Sequence, residues 1–211
     1  MNIAVVTEVS TKDRNVHVIQ ALESTGHRIF NLGMTGNGEE EELGYLHTGF
    51  ITALLLNAGS VDLVVGGCGT GQGYLMSAMQ YPGVFCGLIL SPLDAWLFRQ
   101  ISDGNCISLA LNKGFGWAAD VDIEFIFEKF FGAEGGVGYP SHRQEPQRIF
   151  REKLLMLSSQ IHPPMPEIIA RMPEDIFLPA VSRPGLMDAL RGGNNSRPVV
   201  EAVEKRLKKR F

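Results

Sequence analysis

Chemistry-bearing side chains crowd most closely between Val61 and Gly73, which reads Val-Asp-Leu-Val-Val-Gly-Gly-Cys-Gly-Thr-Gly-Gln-Gly. Cys68 supplies a thiol and Thr70 a hydroxyl, while Gly67, Gly69, Gly71 and Gly73 leave the backbone amides unobstructed. A sulfur so placed can move a proton or attack an electrophile, with the hydroxyl and turn amides holding charge that develops on oxygen. Upstream, Leu63-Val64-Val65 is a short apolar run of the kind buried in a parallel sheet. Downstream, Tyr74 to Met79 is apolar and helical in pattern. A strand that feeds a glycine-rich turn at a helix N-terminus makes an anion cradle.

Other readings of this turn fit less well. A dinucleotide fingerprint should open the first βαβ unit and carry an acidic partner about 20 residues on. This turn comes later, and the acid on offer, Asp94, lies in a helix-like stretch. A cysteine phosphatase loop needs an arginine six residues after the cysteine to grip phosphate, and Tyr74 stands there. The plainest alternative is a packing turn around an inert thiol, since small buried cysteines are common.

Elements that position the turn follow from the rest of the chain. With 211 residues, one domain plus an extension is expected. A 45% hydrophobic and 20% charged composition is that of a globular chain able to bury a full core. The net charge of −4 gives no general case for nucleic acid as a partner. Three widely spaced cysteines make neither a disulfide framework nor a zinc site, and they fit a reducing cytoplasm. Met1 to Thr7 is too short and uncharged for a signal peptide, and no apolar run reaches membrane-spanning length.

Strands are expected at Ile3–Thr7, His27–Leu32, Leu63–Val65, Val84–Leu90 and Asn105–Leu111. Helices are expected between them, including Tyr45–Asn57, a segment opened by Ser91-Pro92 as N-cap and first turn, and Gly116–Phe131. This alternation predicts a doubly wound three-layer α/β/α sandwich with a five-stranded parallel sheet. Ligands in such sheets sit outside the carboxyl ends of the strands. Four loops are assigned there: Glu8–Asp13, Gly33–Glu42, Gly67–Gly73 and Ser91–Asp94. Cys86 and Cys106 read as core, and Trp117, Phe125, Phe127, Phe130 and Phe131 as core or subunit interface.

Residues 1–135 form this domain, and residues 136–211 an irregular, helical C-terminal extension. Gly132, Gly135, Gly136, Gly138 and Pro140 read as a flexible link, and 162–198 as a proline-interrupted arm lying on the body or on a partner subunit. A last helix places Val199, Val203, Leu207 and Phe211 at i, i+4 spacing and carries Lys205, Arg206, Lys208, Lys209 and Arg210 on its other faces.

The motif Cys68-Gly69-Thr70-Gly71-x-Gly73 after Val61-Asp62 is joined by Tyr45-x-His47 upstream and Arg99-Gln100-x-x-Asp103-x-Asn105 downstream. With these residues the chain resembles the type B ribose-5-phosphate and galactose-6-phosphate isomerase family over residues 1 to about 135. The resemblance implies aldose–ketose isomerisation of a sugar phosphate, a pentose 5-phosphate or hexose 6-phosphate, through an enediolate. It implies Cys68 as the base between C1 and C2, and Thr70 with the turn amides as the oxyanion site. It also implies a flavodoxin- or Rossmann-like sheet, dimers or tetramers with an active site shared between subunits, and neither metal nor organic cofactor.

Departures from the family pattern are specific. Glu8-Val9 stands where the family has Asp-His, and Ile101-Ser102 where it has the His-Asn pair whose histidine is thought to open the sugar ring. Leu75 and Met79 replace a serine and an asparagine. His142, Arg143 and Arg148 stand in for the phosphate-gripping cluster. The expected substrate contacts are thus Glu8, Gly69, Gly71, Gly73, Tyr45, His47 and Ser102, with His142, Arg143 and Arg148 on the phosphate. A non-catalytic sugar-phosphate-binding protein is the alternative, favoured by the lost histidine and asparagine.

Overall fold

The computed structural model describes residues 1–36, 38 and 41–209. Five strands, β1 (Asn2–Thr7), β2 (Arg28–Asn31), β3 (Leu63–Cys68), β4 (Cys86–Ile89) and β5 (Cys106–Ala110), pair in parallel in the order β2-β1-β3-β5-β4. Side chains alternate faces along each strand, and the sequence fills both faces with apolar residues. Ile3, Val5, Leu63 and Val65 point to one core; Ala4, Val6 and Val64 point to the other.

The first core is closed by α1 (Asn15–Glu23), α4 (Pro92–Leu97) and α5 (Ala119–Phe131), through Val18, Leu22, Ala95, Ile123, Phe127 and Phe130. The second is closed by α2 (Tyr45–Asn57) and α3 (Gln72–Ala78). Ser91 caps α4 by accepting the Asp94 N–H at 3.1 Å, with Pro92 in the first turn. The helix then widens into a π-turn over Phe98–Ser102 before β5. The predicted three-layer sandwich is the observed one, and each strand lies within two or three residues of its expected place.

The extension is more regular than its prolines suggest. It contains α6 (Gln144–Ile161), α7 (Met165–Arg171), α8 (Glu174–Val181), α9 (Leu186–Arg191) and α10 (Ser196–Lys208). Pro164 and Pro173 stand immediately before helices and Pro166 in a first turn, where a missing N–H costs nothing. Ile169, Phe177, Leu186, Leu190, Val199 and Val203 join the same core as Phe50 and Leu54 of α2. That explains why Thr48 to Leu55 of α2 are all buried: the sheet covers one side and the extension the other. Arg206 stacks 4.2 Å from the Phe177 ring centroid and donates to the Ile169 and Met172 carbonyls. Phe211 and Arg210, assigned to the last helix from sequence, and Glu39 and Glu40 of the loop after β2 lie outside the described residues.

The glycine-rich segment after α5 is a strap tied to the body. Gly136 N–H donates to the Arg99 carbonyl at 3.0 Å, Gly138 N–H to Gln100 at 2.8 Å, and Tyr139 meets the Trp96 ring edge-on. Beyond it, α6 leaves Phe150, Leu154, Leu155 and Ile161 exposed, and only Ser158 is buried. Trp117, expected in the core or an interface, is fully exposed in this chain, while Phe127 and Phe130 are buried. No described helix is long and apolar enough to cross a membrane.

Candidate active site

The chain leaves β1 toward β2 on one side and β3 toward β4 on the other. The crevice between the carboxyl ends of β1 and β3 is therefore the switch point where α/β sheets take ligands. Cys68 ends β3 and Glu8 follows β1. Because Thr7 pairs with Gly67, the next residues on the two strands, Glu8 and Cys68, are neighbours across the crevice. Both are largely buried, at 4% and 7% exposure.

Three anchors fix the turn after Cys68. The Cys68 carbonyl accepts the Gly71 N–H at 3.2 Å and the Leu111 N–H at 3.1 Å, and the Ser108 hydroxyl donates to the Gly71 carbonyl. Gly71 has φ +75° and is the N-cap of α3, a conformation that a side chain would strain. Thr70 is exposed, and its Oγ1 accepts the Gln72 N–H at 3.4 Å. The amides of Thr70 and Gly73 take no partner among the described residues. The Tyr45 ring leans over Gly73, 3.2 Å from where a Cβ would stand, and walls the turn on the α2 side.

Behind the turn stands Tyr74, wholly buried, its ring seated on Gly66, where a Cβ would lie 2.1 Å from Cζ. Its hydroxyl pairs with Thr52 at 2.7 Å and with the Cys106 thiol at 3.3 Å. Burial, with the neighbouring thiols of Cys106 and Cys86, raises its proton affinity well above that of a free phenol. Cys86 is likewise raised, by its contact with Cys106 and by burial, so this buried group is a neutral brace.

Sequence reasoning missed two neighbours of the site, Ser10 and Asn112. Asn112 follows β5, so it emerges at the same end of the sheet; the loop after a fifth parallel strand was the missing fifth loop. Its N–H and that of Lys113 donate to the Gly69 carbonyl at 3.0 Å, and Asn112 Nδ2 donates to the Ser10 carbonyl at 2.8 Å. Ser10 Oγ in turn donates to Glu8.

The other expected contacts are placed differently. His47 is engaged twice: Nδ1 accepts the Gly44 N–H at 2.8 Å, and Nε2 donates to the Asp175 carbonyl at 2.8 Å. That carbonyl is free because Pro179, four residues on in α8, has no N–H to give it. Ser102 lies just ahead of β5, at the amino ends of the strands and so opposite to Cys68. The strap and α6 hang at that end too, with Arg151 donating to the Ile101 carbonyl at 2.8 Å. His142 and Arg143 are exposed there. Arg148 is held by both oxygens of Glu145, at 2.7 and 2.9 Å, and by Glu152. These contacts raise its proton affinity further and lower that of Glu145. One chain therefore unites Cys68, Thr70, the turn glycines, Glu8 and Tyr45, but not Ser102, His142, Arg143 or Arg148. Among the described residues no three His, Cys, Asp or Glu side chains gather as a metal site would need.

The ribose/galactose isomerase family profile matches residues 3–139. A 4-deoxy-L-threo-5-hexosulose-uronate ketol-isomerase, solved with a tartrate, is 31% identical with a TM-score of 0.94, covering 99% of this chain and 100% of that one. A ribose-5-phosphate isomerase of Vibrio parahaemolyticus is 38% identical with a TM-score of 0.92, covering 98% and 99%. A ribose-5-phosphate isomerase B of Mycoplasma genitalium with bound ribulose-5-phosphate, 24% identical with a TM-score of 0.60, covers 75% of this chain and 97% of its own and shares the fold. No curated protein matches the sequence. The chain belongs to the ribose/galactose isomerase family and is an isomerase.

Proposed function

We propose that this chain interconverts the aldose and ketose forms of an anionic sugar, with Cys68 as the base that carries the proton between C1 and C2. Thr70 and the free amides of the turn hold the enediolate oxygen, an arrangement worth a few kcal/mol when donors face the developing charge. The observation that carries this reading is the meeting of Cys68, its open amides and the Glu8 carboxylate at the mouth of the β1–β3 crevice. Glu8 and Tyr45 contact the substrate beside the turn glycines.

The substrate's anionic end is held by a second copy of the chain. Ser102, His142 and Arg143 stand at the far end of their own sheet, so they reach a Cys68 site only from a neighbouring subunit. The exposed apolar residues of α6, next to those cations, are the surface such a dimer or tetramer would cover.

For the substrate itself, a pentose 5-phosphate or hexose 6-phosphate is the first reading. One observation, Ile101 at the ring-opening position, favours a second, a sugar acid that needs no ring opening. Arg148 is engaged by two carboxylates and so grips neither a substrate phosphate nor a substrate carboxylate, which leaves Arg143 and His142 for either anion. Full-length likeness, extension included, joins the chain both to a ribose-5-phosphate isomerase and to a hexosulose-uronate isomerase, so either substrate is in range. Such a 5-keto, 4-deoxy compound lacks the O4 and O5 hydroxyls through which an aldehyde at C1 closes its usual rings. The loss of the ring-opening histidine, with Ile101 in its place, then carries no penalty.

The test is turnover of ribose 5-phosphate, galactose 6-phosphate and 4-deoxy-L-threo-5-hexosulose uronate, with deuterium uptake from solvent at the reacting carbon. Cys68→Ala should abolish both turnover and uptake. A Cys68→Ala protein that still isomerises its sugar at the native rate would overturn the assignment of the base.

A further inference from the structure

Isomerisation moves two protons, one between carbons and one between oxygens. On the reading above Cys68 handles the first; the second needs its own group, and the histidine position of the family pattern holds Ile101. We infer that Glu8 and Ser10 together form the oxygen-side relay, which takes the proton from the hydroxyl at C2 and returns it to the oxygen at C1.

The geometry is specific. Ser10 Oγ lies 3.6 Å from the point where a Cβ on Gly69 would stand, so this hydroxyl faces the Cys68 turn. It donates to Oε1 of Glu8, which places the buried carboxylate one hydrogen bond behind an exposed hydroxyl. Three contacts hold the pair in place. Thr11 N–H donates to the Glu8 carbonyl at 3.0 Å, Val9 N–H donates to Leu43 at 2.8 Å, and Asn112 Nδ2 fixes the Ser10 carbonyl at 2.8 Å. Neither oxygen of Glu8 pairs with a cation among the described residues, so no ion pair competes with Ser10 for the carboxylate.

The steps balance. As the Cys68 thiolate removes the C2 proton, the C1 carbonyl oxygen becomes the enediolate oxygen. The C2 hydroxyl passes its proton to Ser10 Oγ while Ser10 hands its own to Glu8. Glu8 then returns a proton through Ser10 to the oxygen at C1, and Cys68 returns its proton to C1. Carboxylate, hydroxyl and thiolate all end as they began, with no co-reactant.

The two half-reactions can be separated experimentally. Carbon exchange needs only Cys68 and the oxyanion site, whereas net isomerisation also needs the oxygen-side transfer. The probes are ribose 5-phosphate and the hexosulose uronate of the activity screen, in deuterated water. In Glu8→Gln, isomerisation should fall at least about 100-fold, the lower end of what general acid–base catalysis supplies, while deuterium uptake stays within about fivefold of native. Ser10→Ala should lose about tenfold of isomerisation only, and Ser10→Thr, which keeps the hydroxyl, should recover it. If Glu8→Gln isomerises within threefold of native, or loses exchange and isomerisation in equal measure, the relay is refuted. If native protein exchanges neither sugar, or if Cys68→Ala leaves exchange intact, the Cys68 reading fails first and the relay with it.

Discussion

Replacing Gly66 by alanine would test whether the Tyr74 ring is what aligns the catalytic turn. A Cβ at position 66 would sit 2.1 Å from Tyr74 Cζ and 2.4 Å from its hydroxyl oxygen. Carbon atoms in contact rest about 3.5 Å apart, so the ring must retreat by about 1.4 Å. Overpacking of this kind costs about 1–3 kcal/mol. The retreat also strips the phenol of its bonds to Thr52 and Cys106, a further loss of about 1–3 kcal/mol for two buried hydrogen bonds. The midpoint, about 4 kcal/mol, corresponds to a melting point lowered by roughly 12 °C in a chain of this size. Tyr74 is the third residue of α3, so the displacement reaches the turn amides, and a shift near 1 Å at a catalytic group costs about 100-fold in rate. Denaturant unfolding followed by circular dichroism, alongside kcat/KM, measures both effects. The decisive comparison is Gly66→Ala in a Tyr74→Leu background, where the shortened side chain removes the clash. The pair should cost less than the sum of its parts by about 1–3 kcal/mol. Additivity within about 0.5 kcal/mol would refute the reasoning, because the methyl would then be paying its penalty to something other than the ring.

Other consequences are simpler to measure. Arg148→Ala should leave KM within threefold, since both faces of that guanidinium are already held by Glu145 and Glu152, whereas Arg143→Ala should raise KM at least about tenfold; steady-state kinetics on the responsive sugar separates the two. Ser77→Ala should stabilise the protein by about 1 kcal/mol, because the buried Ser77 hydroxyl has no partner among the described residues and faces Gly49; thermal melting reads this. Burial pushes the Tyr81 phenol up to about 12, so the folded state holds that proton more tightly than the unfolded chain. Its contribution is complete below pH 10 and lost as pH rises from 10 to 12, and Tyr81→Phe should flatten the alkaline limb of the stability profile.

Much of this molecule could be read from local sequence. The five strands announced themselves because both faces of a parallel sheet demand apolar residues, as in Ile3-Ala4-Val5-Val6. Cys68 stood out because a strand, a glycine turn and a helix start adjoin it. Glu8 was legible as the residue after a buried strand. What lay beyond reach were long-range facts. Nothing local says that Ser102 is carried to the opposite end of the sheet from Cys68; only the topology does. The prolines of the extension read as interruptions until their places at helix starts are seen, and its apolar residues gain meaning only against α2. The locking of Arg148 was in principle visible, since Glu145 and Glu152 stand three and four residues away on one helix face. Trp117 is not core: it is fully exposed in this chain, between the left-handed Gly114 and Ala118.

His47 bonds the Asp175 carbonyl that Pro179 leaves without its helical partner, and so two distant positions are tied together. A chimera grafting the extension of another isomerase onto this body would inherit the mismatch unless both came across. A helix restored to full pairing by losing its proline would make the imidazole share that oxygen with a backbone N–H. Drift at either position should therefore be followed by drift at the other, a signature to be sought wherever this body and this extension descend together.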